Sequence, residues 1–209
     1  MEDVIFCSLA DMMRVPGSFT SLQKIRGAGH DIRALYSTLD CLKIAQENPQ
    51  KRVIFFEIGF ETTTPMSAVL VQKTLNLGIK NLFFHINHVT VPAPVRTILN
   101  DKEVKIDAFL GPSHVSVITG SRVYESIAQD FKKPIAVSGF EPVDIMLSIL
   151  NLVKQRNLGT YEVFNEYKRV VKTDGNLKAQ ELVARYFTTC DFTWRGLGEI
   201  ADSGLDLRE

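Results

Sequence analysis

Val53-Ile54-Phe55-Phe56-Glu57-Ile58 is β-branched and aromatic and stops at Gly59, and Phe60-Glu61-Thr62-Thr63-Thr64-Pro65 then opens a helix. A run of that composition, closed by glycine and followed by hydroxyls and a proline, reads as strand, tight turn and helix N-terminus. The pattern recurs where Ile135-Ala136-Val137 leads into Gly139-Phe140-Glu141-Pro142. In open α/β sheets such turns lie at the carboxyl ends of the strands, where ligands bind. A chain with two of them is constrained to an α/β fold that presents two carboxylates, Glu61 and Glu141, beside helix starts.

The rest of the chain agrees. Short apolar runs at Val4–Cys7, Ile32–Tyr36, Leu82–Ile86 and Ile106–Leu110 read as further strands. Between them lie helical stretches. Phe19–Arg26 follows a possible Ser18 cap, and Thr38–Glu47 is opened by Ser37 with Asp40 three residues on. The helix with Thr64 as N-cap and Pro65 at its first position ends near Gly78. Pro92 starts a short helix, and Tyr124, Ile127, Ala128 and Phe131 form an amphipathic stripe. Pro142 to about Arg156 is a strongly apolar helix, and Leu177–Phe187 is the last one. Tyr167–Val171 suits a strand or a helix, and the Gly-rich tail from Phe192 to Glu209 reads as loop. Strands alternating with helices imply parallel sheets. The expected fold is two parallel-sheet α/β units facing a shared cleft. Residues 1–64 form the first unit and 65–160 the second, with 161–209 returning to pack on the first. The hinge is expected near Thr62–Pro65.

A chain of 209 residues with 45% hydrophobic content is long enough to bury a proper core. Lys+Arg and Asp+Glu balance at 24 each, which gives no electrostatic argument for nucleic acid or an anionic membrane as partner. No apolar run has the length of a membrane span, and residues 1–20 lack the pattern of a signal peptide, so the expected location is cytoplasmic. Cys7, Cys41 and Cys190 are far apart and show no C-x-x-C spacing. They are expected to be buried thiols rather than a disulfide framework or a metal site.

Glu61 and Glu141 admit two readings. A carboxylate beside a helix N-terminus satisfies backbone N–H groups and the helix dipole. Alternatively both acids face one cleft, where with His114 they would serve a small-molecule-binding or hydrolytic enzyme. His85, His88 and His114 all follow strand ends, yet their spacing matches no metal motif, so no metal site is assigned. Asp11, Arg14 and Ser18 make a polar loop after the first strand, and Arg14 is suited to clamp an anion. Trp194 reads as a buried anchor.

Several stretches, taken together and in order, resemble the HypD family. They are Asp11-Met12-Met13-Arg14-Val15-Pro16-Gly17-Ser18, Gly59-Phe60-Glu61-Thr62-Thr63, Pro112-Ser113-His114-Val115-Ser116 with Gly120 and Tyr124, and Gly139-Phe140-Glu141-Pro142 with Gln155. Asn165-Glu166-Tyr167-Lys168-Arg169-Val170-Val171, Gly175-Asn176 and Trp194-Arg195-Gly196-Leu197-Gly198 continue the likeness. The resemblance implies α/β domains around a working cleft and a role in [NiFe]-hydrogenase maturation. There the Fe(CN)2CO group is assembled with a HypC-type chaperone and a HypE-type protein. It implies that Glu61, Thr62, His114 and Glu141 line or shape that cleft. Asp11, Arg14, Thr63 and Ser116 join them as cleft-lining candidates. The family's Cys-Gly-Thr-His and Gly-Pro-Gly-Cys-Pro-Val-Cys motifs are missing, as are the C-terminal cysteines of its [4Fe–4S] cluster. The chain therefore resembles the middle of such a protein, incomplete at both ends: a fragment, a split product or a degenerate copy. It is expected to be a scaffold rather than a turnover enzyme, to hold no cofactor of its own, and to self-associate through an exposed sheet edge.

Overall fold

A computed structural model describes residues 3–208. The first run comprises β1 (Val4–Leu9), a 3-10 turn at Ala10–Arg14, α1 (Leu22–Gly27), β2 (Ile32–Leu35), α2 (Asp40–Glu47), β3 (Arg52–Gly59), α3 (Thr64–Asn76) and β4 (Leu82–Val89). The second comprises α4 (Pro92–Asn100), β5 (Phe109–Gly111), α5 (Ser113–Thr119), a 3-10 turn at Arg122–Tyr124, α6 (Glu125–Asp130), β6 (Ile135–Val137), α7 (Pro142–Leu158) and β7 (Val163–Asn165). The chain closes with α8 (Leu177–Tyr186), β8 (Phe187–Trp194) and β9 (Gly198–Leu207).

The strands make a six-stranded sheet of order β2-β1-β3-β4-β9-β8 and a three-stranded sheet β5-β6-β7. The small sheet and the β2-β1-β3-β4 part of the large one are parallel, as the strand–helix alternation predicts. Alternation along each strand decides which side is core. Ile5 and Cys7, Val53 and Phe55, and Leu82 point to one face of the large sheet, where Cys41 and Ala45 of α2 and Leu70 of α3 cover them. The opposite face carries Phe6, Phe56 and His85 as a stacked ladder, ring centroids 5.9 and 5.4 Å apart. Those side chains are only half-buried or, for His85, exposed. In the small sheet, Ile135 and Val137 of β6 pack with Tyr124, Ile127, Ala128 and Val171.

Four expectations change. The large sheet is mixed, because the tail is no loop: β8 and β9 form a hairpin, and β9 runs antiparallel to β4 with His88 opposite Leu205. Its turn uses Gly196 (φ +86°) and Gly198 (φ +79°), and Trp194 Nε1 donates to Ser203 Oγ at 2.8 Å. Trp194 is half-buried there. Phe187, expected to end a helix, instead begins β8 in the pocket formed with Ala68 and Val71. β7 was not expected, and Tyr167–Val171 is a turn closed by Val170 N–H and Val171 N–H donating to the Tyr167 carbonyl. By sheet membership, β4 belongs to the large sheet, paired in parallel with β3 across the α3 crossover, and the small sheet follows it in the chain.

At the helix starts, Ser21 rather than Ser18 accepts the Lys24 N–H (3.3 Å), and Thr63 rather than Thr64 holds the cap position of α3. Asp40 accepts the Ser37 N–H at 3.0 Å, the reach-back expected of that pair. The α7 helix is inverted relative to its apolar sequence. It buries Asp144, Ser148, Leu152 and Gln155, and exposes Val143, Met146, Leu147, Leu150 and Val153. Among the described residues no helix is long and apolar enough to cross a membrane.

Candidate functional site

The end of β3 is a close-packed turn. The Phe60 carbonyl accepts from the hydroxyls of Thr63 and Thr64, each at 3.1 Å. Gly59 (φ +153°) has no side chain because a Cβ there would overlap Thr63. Glu61 is thereby turned inward and buried. Its Oε1 accepts the Val91 N–H at 2.9 Å, and Val91 caps α4, so the carboxylate ties the β3–α3 turn to the loop after β4. Its Oε2 is buried without a partner. Burial pushes the Glu61 carboxyl above the usual range, with the Val91 N–H acting in the opposite sense. The Tyr124 hydroxyl, also buried and unpartnered, is pushed up to about 12 by burial, and the Glu61 charge adds to the shift.

Glu61 also lines a cavity of about 340 Å³, together with Thr64 from the first turn, Thr119 from α5, Gln180 from α8, Phe187 from β8 and Arg208. Gln180 closes one side, its amide donating to the Ile118 and Asp174 carbonyls at 2.7 and 2.8 Å. Arg208 Nε donates to the Ala184 and Phe187 carbonyls, both at 2.9 Å.

The second Gly-Phe-Glu turn uses its acids differently. Glu141 caps α7, and its backbone N–H donates to Asp144 Oδ2 at 3.4 Å, but its side chain is exposed. The buried acid is Asp144, gripped by both terminal nitrogens of Arg169, one at 3.0 Å. The guanidinium holds the Asp144 carboxyl below the usual aspartate range. Arg169 also stacks on Tyr167, 4.4 Å from its ring centroid. A Cβ on Gly139 would overlap Asp144 and crowd Tyr167, so this glycine serves the same close approach as Gly59.

His114 is exposed at the start of α5, its ring 4.5 Å from Phe140. Ser116 is buried with its hydroxyl committed to the Pro112 carbonyl (2.8 Å). Thr62 is exposed and Thr63 half-buried in the first turn, while Asp11 and Arg14 are exposed in the 3-10 turn after β1. The structure thus groups His114 with the Phe140-Glu141 turn, and Glu61 with Thr119 and the α8–β8 segment. None of His114, Glu141, Asp11 and Arg14 lines the cavity that Glu61 lines.

A constellation that the sequence reading missed lies beneath the first turn. His88 Nε2 of β4 is 3.2 Å from Glu57 Oε2 of β3 and 2.9 Å from Ser67 Oγ of α3, all three side chains buried. The residue types are those of a nucleophilic triad. Both partners meet the same ring nitrogen, however, so the imidazole cannot pass a proton from one to the other through its two nitrogens. The group acts as a pin joining β3, β4 and α3, with Phe187 edge-on to the His88 ring at 6.0 Å. The alternation of β3 placed Glu57 on the core face and was its one legible signal. Among the described residues no three His, Cys, Asp or Glu side chains are gathered as a metal-binding group.

Comparison with known proteins bears on all of this. The HypD family, described as the Hydrogenase formation hypA family, matches residues 1–209. The chain is 47% identical to the hydrogenase maturation factor HypD of Rhizobium leguminosarum bv. viciae over 214 residues, 99% of this chain and 56% of that relative. It is 45% identical to the factor of the same name from Rhodobacter capsulatus, covering 99% of this chain and 55% of the relative. With that of Escherichia coli K12 the identity is 44%, covering 98% and 55%. The chain thus spans about half the length of the curated relatives it matches. A match of this extent, covering the stretches that hold both Gly-Phe-Glu turns, places the chain in the HypD family.

Proposed function

We propose that this chain serves as a scaffold portion of a HypD-type hydrogenase maturation factor and works through protein contacts. The observation that carries the reading is the end-to-end match to relatives named hydrogenase maturation factors. In this reading the Fe(CN)2CO group is cargo assembled with HypC-type and HypE-type partners, and Glu61, Thr62, Thr63, His114, Ser116, Glu141, Asp11 and Arg14 shape the surfaces they meet. The two turns suit a scaffold. Each packs its acid into a fixed frame, Glu61 on Val91 and Asp144 on Arg169, and leaves exposed aromatic or hydroxyl groups such as Phe140 and Thr62 at the surface.

A [4Fe–4S] cluster of the kind the family implies takes four cysteine thiolates. This chain has three, Cys7 and Cys41 buried in the core of the large sheet and Cys190 in the β8–β9 hairpin, so its own residues do not fit that group. Chain purified without oxygen is expected to carry no stoichiometric iron and sulfide; finding them would overturn this part of the reading. The scaffold role is tested by capture of a HypC-type chaperone. A stable complex is expected. No complex, even with the flanking segments of a full-length relative restored, would end the proposal.

A second reading rests on one observation, the buried carboxyl of Glu61 at the wall of a cavity. A small-molecule-binding or hydrolytic enzyme would use that cavity, with Glu141 and His114 as helpers. Those two lie outside its lining, which favours the scaffold. The enzyme reading requires a small ligand whose binding Glu61→Gln abolishes.

A further inference from the structure

We infer that the uncovered face of the large sheet, floored by Phe6, Ile54 and Phe56, is a docking surface for an amphipathic helix. That helix belongs to the part of a HypD-type polypeptide outside the stretch that this chain matches. The inference rests on the scaffold-portion reading above.

The argument begins with the strands. Parallel sheets in α/β proteins are covered on both faces, since crossover helices lie on each side and the strands are apolar throughout. Here the parallel strands β2, β1, β3 and β4 have α2 and α3 packed on one face only. On the other, α1 lies beside β2, while Phe6, Ile54 and Phe56 are only half-buried and Phe83 and His85 are exposed. Between α1 and the strands runs a groove of about 440 Å³ lined by Val4, Phe6, Leu22, Ile25, Ile32 and Ile54. Beyond it the ladder of Phe6, Phe56 and His85 continues, and Phe83 is 46% exposed. These positions alternate with the core-facing ones, so β1, β3 and β4 carry apolar side chains on both faces, as strands covered on both sides do.

The occupant follows from shape and from length. A twofold interface places a patch against its own copy. A groove has no ridge of its own to fill itself, so a second copy of this chain is a poor match for it. A helix laid into an apolar groove is a recurrent solution, its side chains entering at i, i+3, i+4 and i+7. Relatives that match this chain over 99% of its length have only 55–56% of their own length in the match. The remaining polypeptide is ample to supply such a helix.

The test compares thiol labelling of Phe56→Cys in the 209-residue chain with the same variant in a fused chain. The fusion carries the flanking segments of the Rhizobium leguminosarum relative, each joined at the end it occupies there. Leu75→Cys, on α3 across the sheet, is the control; both are made in a Cys190→Ser background with folding checked by circular dichroism, and labelling is read site by site by peptide mass spectrometry, so that the cysteines of the flanks do not count. The expected result is that the flanks slow Phe56→Cys labelling by about tenfold or more, as for a site protected by stable packing, and leave Leu75→Cys unchanged. An unaltered Phe56→Cys rate in the folded fusion overturns the inference. So does shielding that already exists in the unfused chain and rises with its concentration, since a second copy then covers the face. The full-length Rhizobium relative with cysteine at the position aligned to Phe56, read by mass spectrometry, gives the same test without relying on the fusion: an unreactive site supports the inference and a reactive one overturns it. Capture of a HypC-type chaperone by a fusion whose Phe56→Cys stays reactive removes only the docking surface. A shielded site without capture removes only the scaffold reading.

Discussion

Glu61 and Glu141 occupy equivalent places in two nearly identical turns, and their surroundings give them different work. Glu61 is enclosed and bonded to Val91, whereas Glu141 stays in solvent and leaves the buried position to Asp144. An acid whose folded pKa is raised disfavours the folded state once pH passes its ordinary value of about 4.3. Glu61→Gln keeps the acceptor for Val91 and removes that cost. It should match or exceed the parent in urea resistance near neutral pH, with the advantage disappearing as pH falls toward about 4. Glu61→Ala strands the Val91 N–H and should cost about 1–3 kcal/mol. For Asp144 the sign reverses. Its folded pKa is depressed by Arg169, so the stabilisation is present above the ordinary aspartate pKa and fades as pH drops through the folded one. Asp144→Asn should lower the urea midpoint at neutral pH, and the deficit should shrink below about pH 4. The sequence identified the turns and their carboxylates, because glycine, hydroxyl and proline signals are local. It could not identify Val91 or Arg169 as their partners, since those meet the turns only through the fold.

Among the elements, α7 and the β8–β9 hairpin depart most from their sequence pattern, for opposite reasons. The apolar residues of α7 recur at helical spacing and suggest a buried stripe, but its core side is the polar one. Gln155 is placed there by its bonds to Asn151 (2.7 Å) and the Glu162 N–H (2.8 Å), and Asp144 by Arg169. Met146→Lys, on the outward stripe, should therefore change stability by no more than about 0.5 kcal/mol in a urea titration. In the hairpin, threonines and aspartates alternate with few apolar residues, and the glycines resemble loop. What makes it a strand pair is long-range: β9 hydrogen-bonds to β4, and Phe187 enters the pocket made by Ala68 and Val71. Phe187→Ala should cost about 3–5 kcal/mol by leaving a cavity against His88, measured as a loss in the unfolding free energy.

At the scale of the molecule, the alternation of strands and helices was legible because it depends on spacing alone. The mixed character of the large sheet was not, because nothing local in β4 or β9 names the other. Among the described residues the β2 strand has a neighbour on one side only, β1, and it is expected to make the chain self-associate edge to edge, giving more than the monomer mass by light scattering. The path of the chain has a consequence for how it is made. The large sheet is begun by β1 to β4, left for the whole of the small sheet, and finished by β9 and β8. On the ribosome the small sheet can mature while the large sheet waits, its β4 edge unpaired, for β8 and β9 to emerge. Pairing so distant along the chain is slow to form. In pulse-labelled refolding, the amides joining β4 to β9 should be the last to become protected.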